Sequence, residues 1–378
     1  MKNKFADPGA VRPIAAATIF VVCLVFAPLF GQTAHAAVAG QCALCHTMHN
    51  SQGGSLVVSD GPHASLLVND CVGCHSATDS GTAIDGVTGA PIVYNTGGAP
   101  TYGPGAMGLS GGNFYWVAQG DDSKGHNVFS DNADDNLSSA PGHVVSGCGT
   151  ESCHDNLHAV NTNYGTRQGC TKCHMMGNAA GPKGYHHKDD TGPIIDSADE
   201  GWFRFLEGHQ GGAGHGVSGI EDDDWLFTSS STDHNEYLGY SGTKTSAAGL
   251  SSLGNTMTGY CCGCHSNFHT EENAGGDWIR HPSDAVIPNS GEYASAYGAV
   301  GGTGAYDALV PVARPSLTDW TQASSDVRIG TDLVMCLSCH KAHGSPYPDM
   351  LRWDYDQMIA GNPAKTGGCF TCHTGKND

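Results

Sequence analysis

Six segments of the chain place two cysteines and a histidine in the order Cys-x-x-Cys-His. They are Cys42, Cys45 and His46; Cys71, Cys74 and His75; Cys170, Cys173 and His174; Cys261, Cys264 and His265; Cys336, Cys339 and His340; and Cys369, Cys372 and His373. On a helical turn, positions i, i+3 and i+4 share one face. Two thiols so placed can bond the two vinyl groups of a porphyrin while the histidine reaches its iron, and this spacing is the attachment signature of c-type haem. One copy would also suit a zinc half-site or a redox dithiol. Six copies do not, because zinc sites have no need of a histidine at the same place each time, and a thioredoxin-like dithiol needs a strand–helix context.

A seventh site is longer, with four residues between Cys148 and Cys153 before His154. The added residues must bulge. A disulfide is the competing reading in an exported chain, but the intact Cys-His ending favours haem. Seven haem c groups are therefore expected. Cys262 is left over beside Cys261 and reads as a small buried residue. No catalytic residue is assigned.

Seven irons each present a second axial face. Beyond the proximal histidines, the chain after residue 36 holds 13 more. Ten of these are candidate distal ligands: His49, His63, His126, His143, His158, His186, His187, His269, His281 and His343. His49 and His343 follow their proximal partners by three residues, and His158 and His269 follow theirs by four. A histidine one turn further along cannot reach round its own porphyrin, so such residues would ligate a neighbouring haem. His209, His215 and His234 lie in Gly- and Asp-rich loops and read as ordinary polar histidines. Met175 and Met176 read as packing, because histidines are in surplus. The acidic loops 131–136 and 221–224 lack the spaced ligands of a Ca²⁺ site.

These turns must be carried by an unusual chain. Lys2, Lys4 and Arg12 precede an apolar run from Ile14 to Phe30, and Ala34-His35-Ala36 follows. The pattern predicts a signal peptide over 1–36 and a seven-haem domain over 37–378. Removing Lys2, Lys4, Arg12 and Asp7 with that leader takes the formal charge from −20 to −22. So acidic a chain repels nucleic acid and anionic lipid, and no second apolar run reaches spanning length.

Glycine accounts for 54 of 378 residues, and charged residues for 14%, against about 25% charged in typical proteins. Sustained apolar periodicity is scarce, so side chains alone would make a poor core. Seven porphyrins on 342 residues, about 49 residues each, would replace it. The expected fold is mostly irregular loop with short α-helices at the motifs and few short strands, organised around a stacked haem chain. The best strand candidates are 91–94 and 114–117.

Several islands of sequence resemble a known family. Gly40-Gln-Cys-Ala-Leu-Cys-His-Thr-Met-His-Asn50 followed by Ser-Gln-Gly-Gly, Gly111-Gly-Asn-Phe-Tyr-Trp-Val, Lys124-Gly-His-Asn127, Arg280-His-Pro282, Met335-Cys-Leu-Ser-Cys-His-Lys-Ala-His343 and the ending from Cys369 are similar to the OmcS-type outer-surface cytochromes of metal-reducing bacteria. The member compared has six motifs, and Cys170-Cys173-His174 is the additional one here.

The resemblance implies a head-to-tail homopolymer with bis-histidine haems running through its core. It also implies that His49 ligates a haem of the adjacent subunit. The expected role is electron transfer from other cytochromes to extracellular acceptors, after export through the periplasm to the outer surface or beyond. The alternatives are a multihaem reductase of nitrogen or sulfur oxyanions, which needs an open iron, and a monomeric periplasmic shuttle.

Overall fold

A computed structural model describes residues 40–59, 61–63, 66–129, 140–142, 157, 169–174, 194–197, 202–206, 216–242, 253–265, 268 and 283–377. All of them lie in one unit, Ala36–Asp378. Cys148, Cys153, His154, Met175, Met176 and six of the distal candidates (His143, His158, His186, His187, His269 and His281) lie outside the described residues.

Regular structure is short throughout. Among the described residues the α-helices are α1 (Cys71–Cys74), α2 (Tyr115–Ala118), α3 (Met257–Cys262) and α4 (Cys336–Cys339), and 3₁₀ turns open the motifs at Cys42, Cys170 and Cys369. No helix among the described residues is long and apolar enough to cross a membrane. Strands β1 (Ser51–Gln52) and β2 (Ser55–Leu56) form a hairpin. Gly53 and Gly54, with φ of 60° and 83°, supply the left-handed pair that a two-residue turn requires. Strands β3 (Ser76–Ala77) and β4 (Tyr94–Asn95) pair in parallel directly after the second motif.

The segment 114–117 is not the strand that its aromatic and β-branched residues suggest. Asn113 Oδ1 accepts from Tyr115 N at 3.0 Å, and Ala118 N donates to Phe114 O at 2.9 Å, so the chain closes into α2. A local side-chain-to-backbone turn at Asn113 outweighs strand propensity here. The 91–94 segment behaves closer to expectation, with a bridge at Pro91 and strand β4 beginning at Tyr94.

The C-terminal part holds strands β5 (Gly219–Ile220), β6 (Glu236–Leu238), β7 (Ala285–Val286), β8 (Thr303–Ala305), β9 (Ala313–Arg314), β10 (Asp326–Arg328) and β11 (Leu333–Val334). Five of them form one sheet in the order β5-β6-β9-β11-β7, and β8 pairs with β10. Around this sheet the protein does build a side-chain core, which the composition argued against. Phe203, Val217, Tyr237, Met257, Tyr260, Leu333, Met335 and Leu337 pack together, joining α3 and α4 to the sheet. A second cluster centres on Ile287, Tyr297, Tyr306, Val312 and Val327. Sparse apolar residues suffice because β6, β9 and β11 pass two or three residues each through a shared centre, so no single stretch shows a long period.

A buried ionic network ties that sheet. Arg314 donates through Nε to Glu236 Oε2 at 2.7 Å and through Nη2 to Oε1 at 3.1 Å, while Nη1 meets Asp332. All three side chains are fully buried. Trp320 covers the Arg314 guanidinium at 4.6 Å. Burial pushes the Glu236 carboxyl up, but the His234 and Arg314 hydrogen bonds outweigh it and hold it below the usual range. Its contribution is therefore present above the ordinary carboxylate range and lost as pH falls through the lowered value. Arg314→Leu should cost about 3–5 kcal/mol, because Glu236 would stay buried without its arginine and Asp332 would keep only the partly exposed Arg328. Denaturant unfolding checks this, and Glu236→Gln should lose part of the acid limb of the stability profile.

Candidate haem centre

Each described motif folds as the same turn. The histidine N–H donates to the carbonyl of the first cysteine at 2.8 Å (His46), 2.9 Å (His75), 2.8 Å (His174), 3.0 Å (His265), 3.1 Å (His340) and 3.0 Å (His373). This i→i−4 bond puts both thiols and the imidazole on one face. Local caps set where the turns begin. Asp70 accepts from Gly73 N at 2.7 Å ahead of α1, Thr256 accepts from Gly259 N at 2.9 Å ahead of α3, and Ser338 accepts from Met335 N at 3.0 Å.

The imidazoles are aimed by their other nitrogen. Nδ1 of His75 meets Pro91 O at 2.8 Å, that of His174 meets Arg204 O at 2.8 Å, that of His265 meets Pro141 O at 2.9 Å, and that of His340 meets Asp349 O at 2.7 Å. A carbonyl only accepts, so Nδ1 carries the proton and Nε2 keeps a lone pair, as metal-binding histidines require. Burial lowers the pKa of His75, His174 and His340, which keeps the rings neutral. His373 Nδ1 faces Glu292 Oε1 instead, at 3.4 Å. Two of the accepting carbonyls belong to non-glycine residues in the left-handed region, Arg204 (φ 49°) and Asp349 (φ 58°). Such strain tends to gather where geometry serves a function. These acceptors carried no sequence signal, because any residue supplies a carbonyl.

Among the distal candidates, His126 has the same arrangement, with Nδ1 on Ala342 O at 2.7 Å and a pKa lowered by burial. Its ring centroid lies 6.3 Å from that of His265. His343 lies 5.9 Å from His174 and stacks on Phe114 at 4.6 Å. Burial first, then the neighbouring His174, His126, His75 and Lys341, pushes the pKa of His343 down to about 3. Two metal–imidazole bonds of about 2 Å with ring radii of roughly 1 Å place centroids about 6 Å apart across one metal ion, so both separations suit an iron between the rings. His49 is exposed and His63 half-buried. His234 is buried, with Nδ1 on Ser230 O at 3.0 Å, Nε2 on Glu236 at 3.2 Å and its ring against Tyr306 at 3.4 Å, so both nitrogens are committed to the protein.

The motifs follow one another in space. Burial and then the field of Cys45 push the Cys74 thiol up to about 11. A hydrogen bond joins Cys71 to Cys170 and raises the latter. Cys261 is raised by its hydrogen bond to Cys336, then by burial and the fields of Cys336, Cys262 and Cys173. Burial and the fields of Cys369 and Cys372 push Cys339 up to about 12. Tyr260 Oη, next to Cys261, donates to Cys173 O. The six described turns thus form an unbroken succession from Cys42 to His373. Paired thiols with an imidazole on the same face of each turn form a donor set that fits covalently attached haem, and at two sites a second imidazole lies about 6 Å away.

The model of a doubled Cys-x-x-Cys-His motif matches residues 331–378, which contain the last two turns. The C-type cytochrome OmcS of Geobacter sulfurreducens is 26% identical over 366 residues, covering 85% of this chain and 80% of that protein. By sequence, the chain is similar to that cytochrome. The solved outer membrane cytochrome S filament of the same organism aligns with a TM-score of 0.48 at 20% identity, covering 85% of each chain. OmcS nanowires of that organism solved by cryo-EM align with a TM-score of 0.47 at 20% identity, covering 91% of this chain and 94% of the other.

The segment that presents His343 is docked by glycine. His343 N donates to Gly111 O at 2.7 Å, and Asn113 N to Gly344 O at 3.1 Å. Gly112 (φ +89°) approaches the Gly344 carbonyl so closely that a Cβ would strike it. Gly112→Ala should therefore destabilise the protein by more than the roughly 1–2 kcal/mol of left-handed strain alone, read as a lowered unfolding midpoint.

Proposed function

We propose that this chain transfers electrons through seven covalently attached haem c groups, six at the described turns and one at Cys148, Cys153 and His154. The observation that carries the reading is the spatial succession of the six turns together with the two facing histidine pairs. When bound, the haem iron supplies a one-electron couple whose potential depends on its axial ligands and surroundings. The protein holds each porphyrin by two thioethers and a proximal imidazole: His46, His75, His154, His174, His265, His340 and His373. His126 serves as the distal ligand opposite His265, and His343 opposite His174. A second imidazole closes the position that a substrate would need, which favours conduction over oxyanion reduction.

His126→Ala tests this directly. The intact mass of the parent protein should carry seven haems, and the variant should retain them while one haem per chain becomes high-spin and binds carbon monoxide when reduced. A parent protein whose mass lacks bound haem, or a variant with every haem still six-coordinate, would sink the assignment.

The chain also acts as the subunit of an extracellular filament, exported behind residues 1–36, fed by other cytochromes and discharging to external acceptors. Similarity to OmcS supports this reading. So does the exposure of His49 in a segment that also exposes Leu44, Met48, Leu56 and Val57, a surface suited to burial against a second copy. Here His49 ligates a haem of the adjoining subunit. His49→Ala should yield short oligomers or monomers by light scattering with one five-coordinate haem each. Filaments of parental length with all haems six-coordinate would refute it.

A further inference from the structure

Two cations are sealed beside the α4 turn. Lys341 is 0% exposed and Arg352 2%. Their hydrogen bonds go only to main-chain carbonyls. Lys341 Nζ donates to Leu109 O at 2.9 Å, Arg352 Nε to His340 O at 3.1 Å, and Arg352 Nη1 to Ala308 O at 3.3 Å. Arg352 Nη2 is buried with no hydrogen-bond partner. Among the described residues no carboxylate forms an ion pair with either cation. The field of Asp307 reaches Arg352, alongside those of Tyr237, Tyr306 and Cys339.

The contrast with Arg314 is informative. That cation is equally buried, yet Glu236 and Asp332 enclose it. Acidic side chains are not scarce in a chain with 37 Asp and Glu against 17 Lys and Arg, but among the described residues none forms an ion pair with Lys341 or Arg352. A buried charge without a counter-charge is strongly unfavourable. Burial depresses both pKa values, and Arg352 depresses that of Lys341 further. The open edge of Arg352 thus has no acceptor among the described residues, and a bound anion would complete it. Arg352 is fixed against the turn itself, since its own N–H donates to Cys339 O at 2.9 Å. A haem held there, or on the neighbouring Cys369–His373 turn, brings two propionate carboxylates with it.

We propose that Arg352 binds a haem propionate through Nη2, with Lys341 adding positive charge to the same buried region. The inference rests on haem attachment at these turns. Neutralising a propionate favours the reduced iron, so the pair raises the potential of the haem that it serves.

The test is a redox titration of the haem-loaded Arg352→Gln protein. One haem should lose at least tenfold in its reduction equilibrium, a fall of 59 mV for one electron. The propionate bending band in resonance Raman should move with it. The haem whose propionate methylene resonances shift by NMR identifies which of the two groups donates the carboxylate. Full haem content with unchanged potentials and an unmoved band would overturn the proposal alone, whereas parent protein lacking haem at these cysteines would overturn the function on which it rests. If Arg352→Gln does not accumulate, Arg352→Lys decides. The band and the methylene resonances should move while the potential stays within tenfold, and unmoved signals would overturn the proposal.

Discussion

An imidazole ring has two nitrogens, and fixing one decides what the other can do. In this protein the Nδ1 of His75, His174, His265 and His340 is tied to a main-chain carbonyl, which assigns the proton to Nδ1 and leaves the lone pair on Nε2, with the ring plane held by the same bond. The carbonyls come from loops held by the rest of the fold. Arg204, for example, is anchored by its side chain to Glu221 at 3.3 Å and Asn235 at 3.0 Å while its backbone carbonyl holds His174. Long irregular segments that look passive in sequence are therefore the braces of the iron-facing rings.

The division of labour between polypeptide and porphyrin is more even than the composition suggests. The sheet from β5 to β7, with the Arg314 network and its aromatic cover, gives the C-terminal part a conventional interior. The α3 and α4 turns are built onto it through Met257, Tyr260, Met335 and Leu337. Earlier turns rest on smaller supports, such as the Ala83, Tyr102 and Leu109 cluster and the Asn95–Asn113 hydrogen bond at 2.6 Å. The polypeptide and the attachment turns thus share the work of holding the cysteines in place.

The turns themselves were legible in sequence because their chemistry is local: five consecutive residues contain both the helical spacing and the ligand. The shortness of the helices and strands was legible as well. Strand propensity misled at 114–117, where one asparagine side chain redirected the backbone. The pairing of His126 with His265 and of His174 with His343 was not readable, since it depends on contacts such as His126 to Ala342, 216 positions apart. The same holds for Arg352, whose role appears only once its burial and missing counter-ion are seen. Tyr306, by contrast, claims the face of a histidine that sequence had already set aside as ordinary.

Three consecutive residues after the fifth described motif have unusually distributed duties. Lys341 reaches Leu109, Ala342 O steers His126, and His343 confronts His174. Two separate imidazole pairs therefore hang from one short peptide. A shift of that peptide displaces the support of His126 and the ring of His343 together, so neither pair of rings can be re-aimed without disturbing the other.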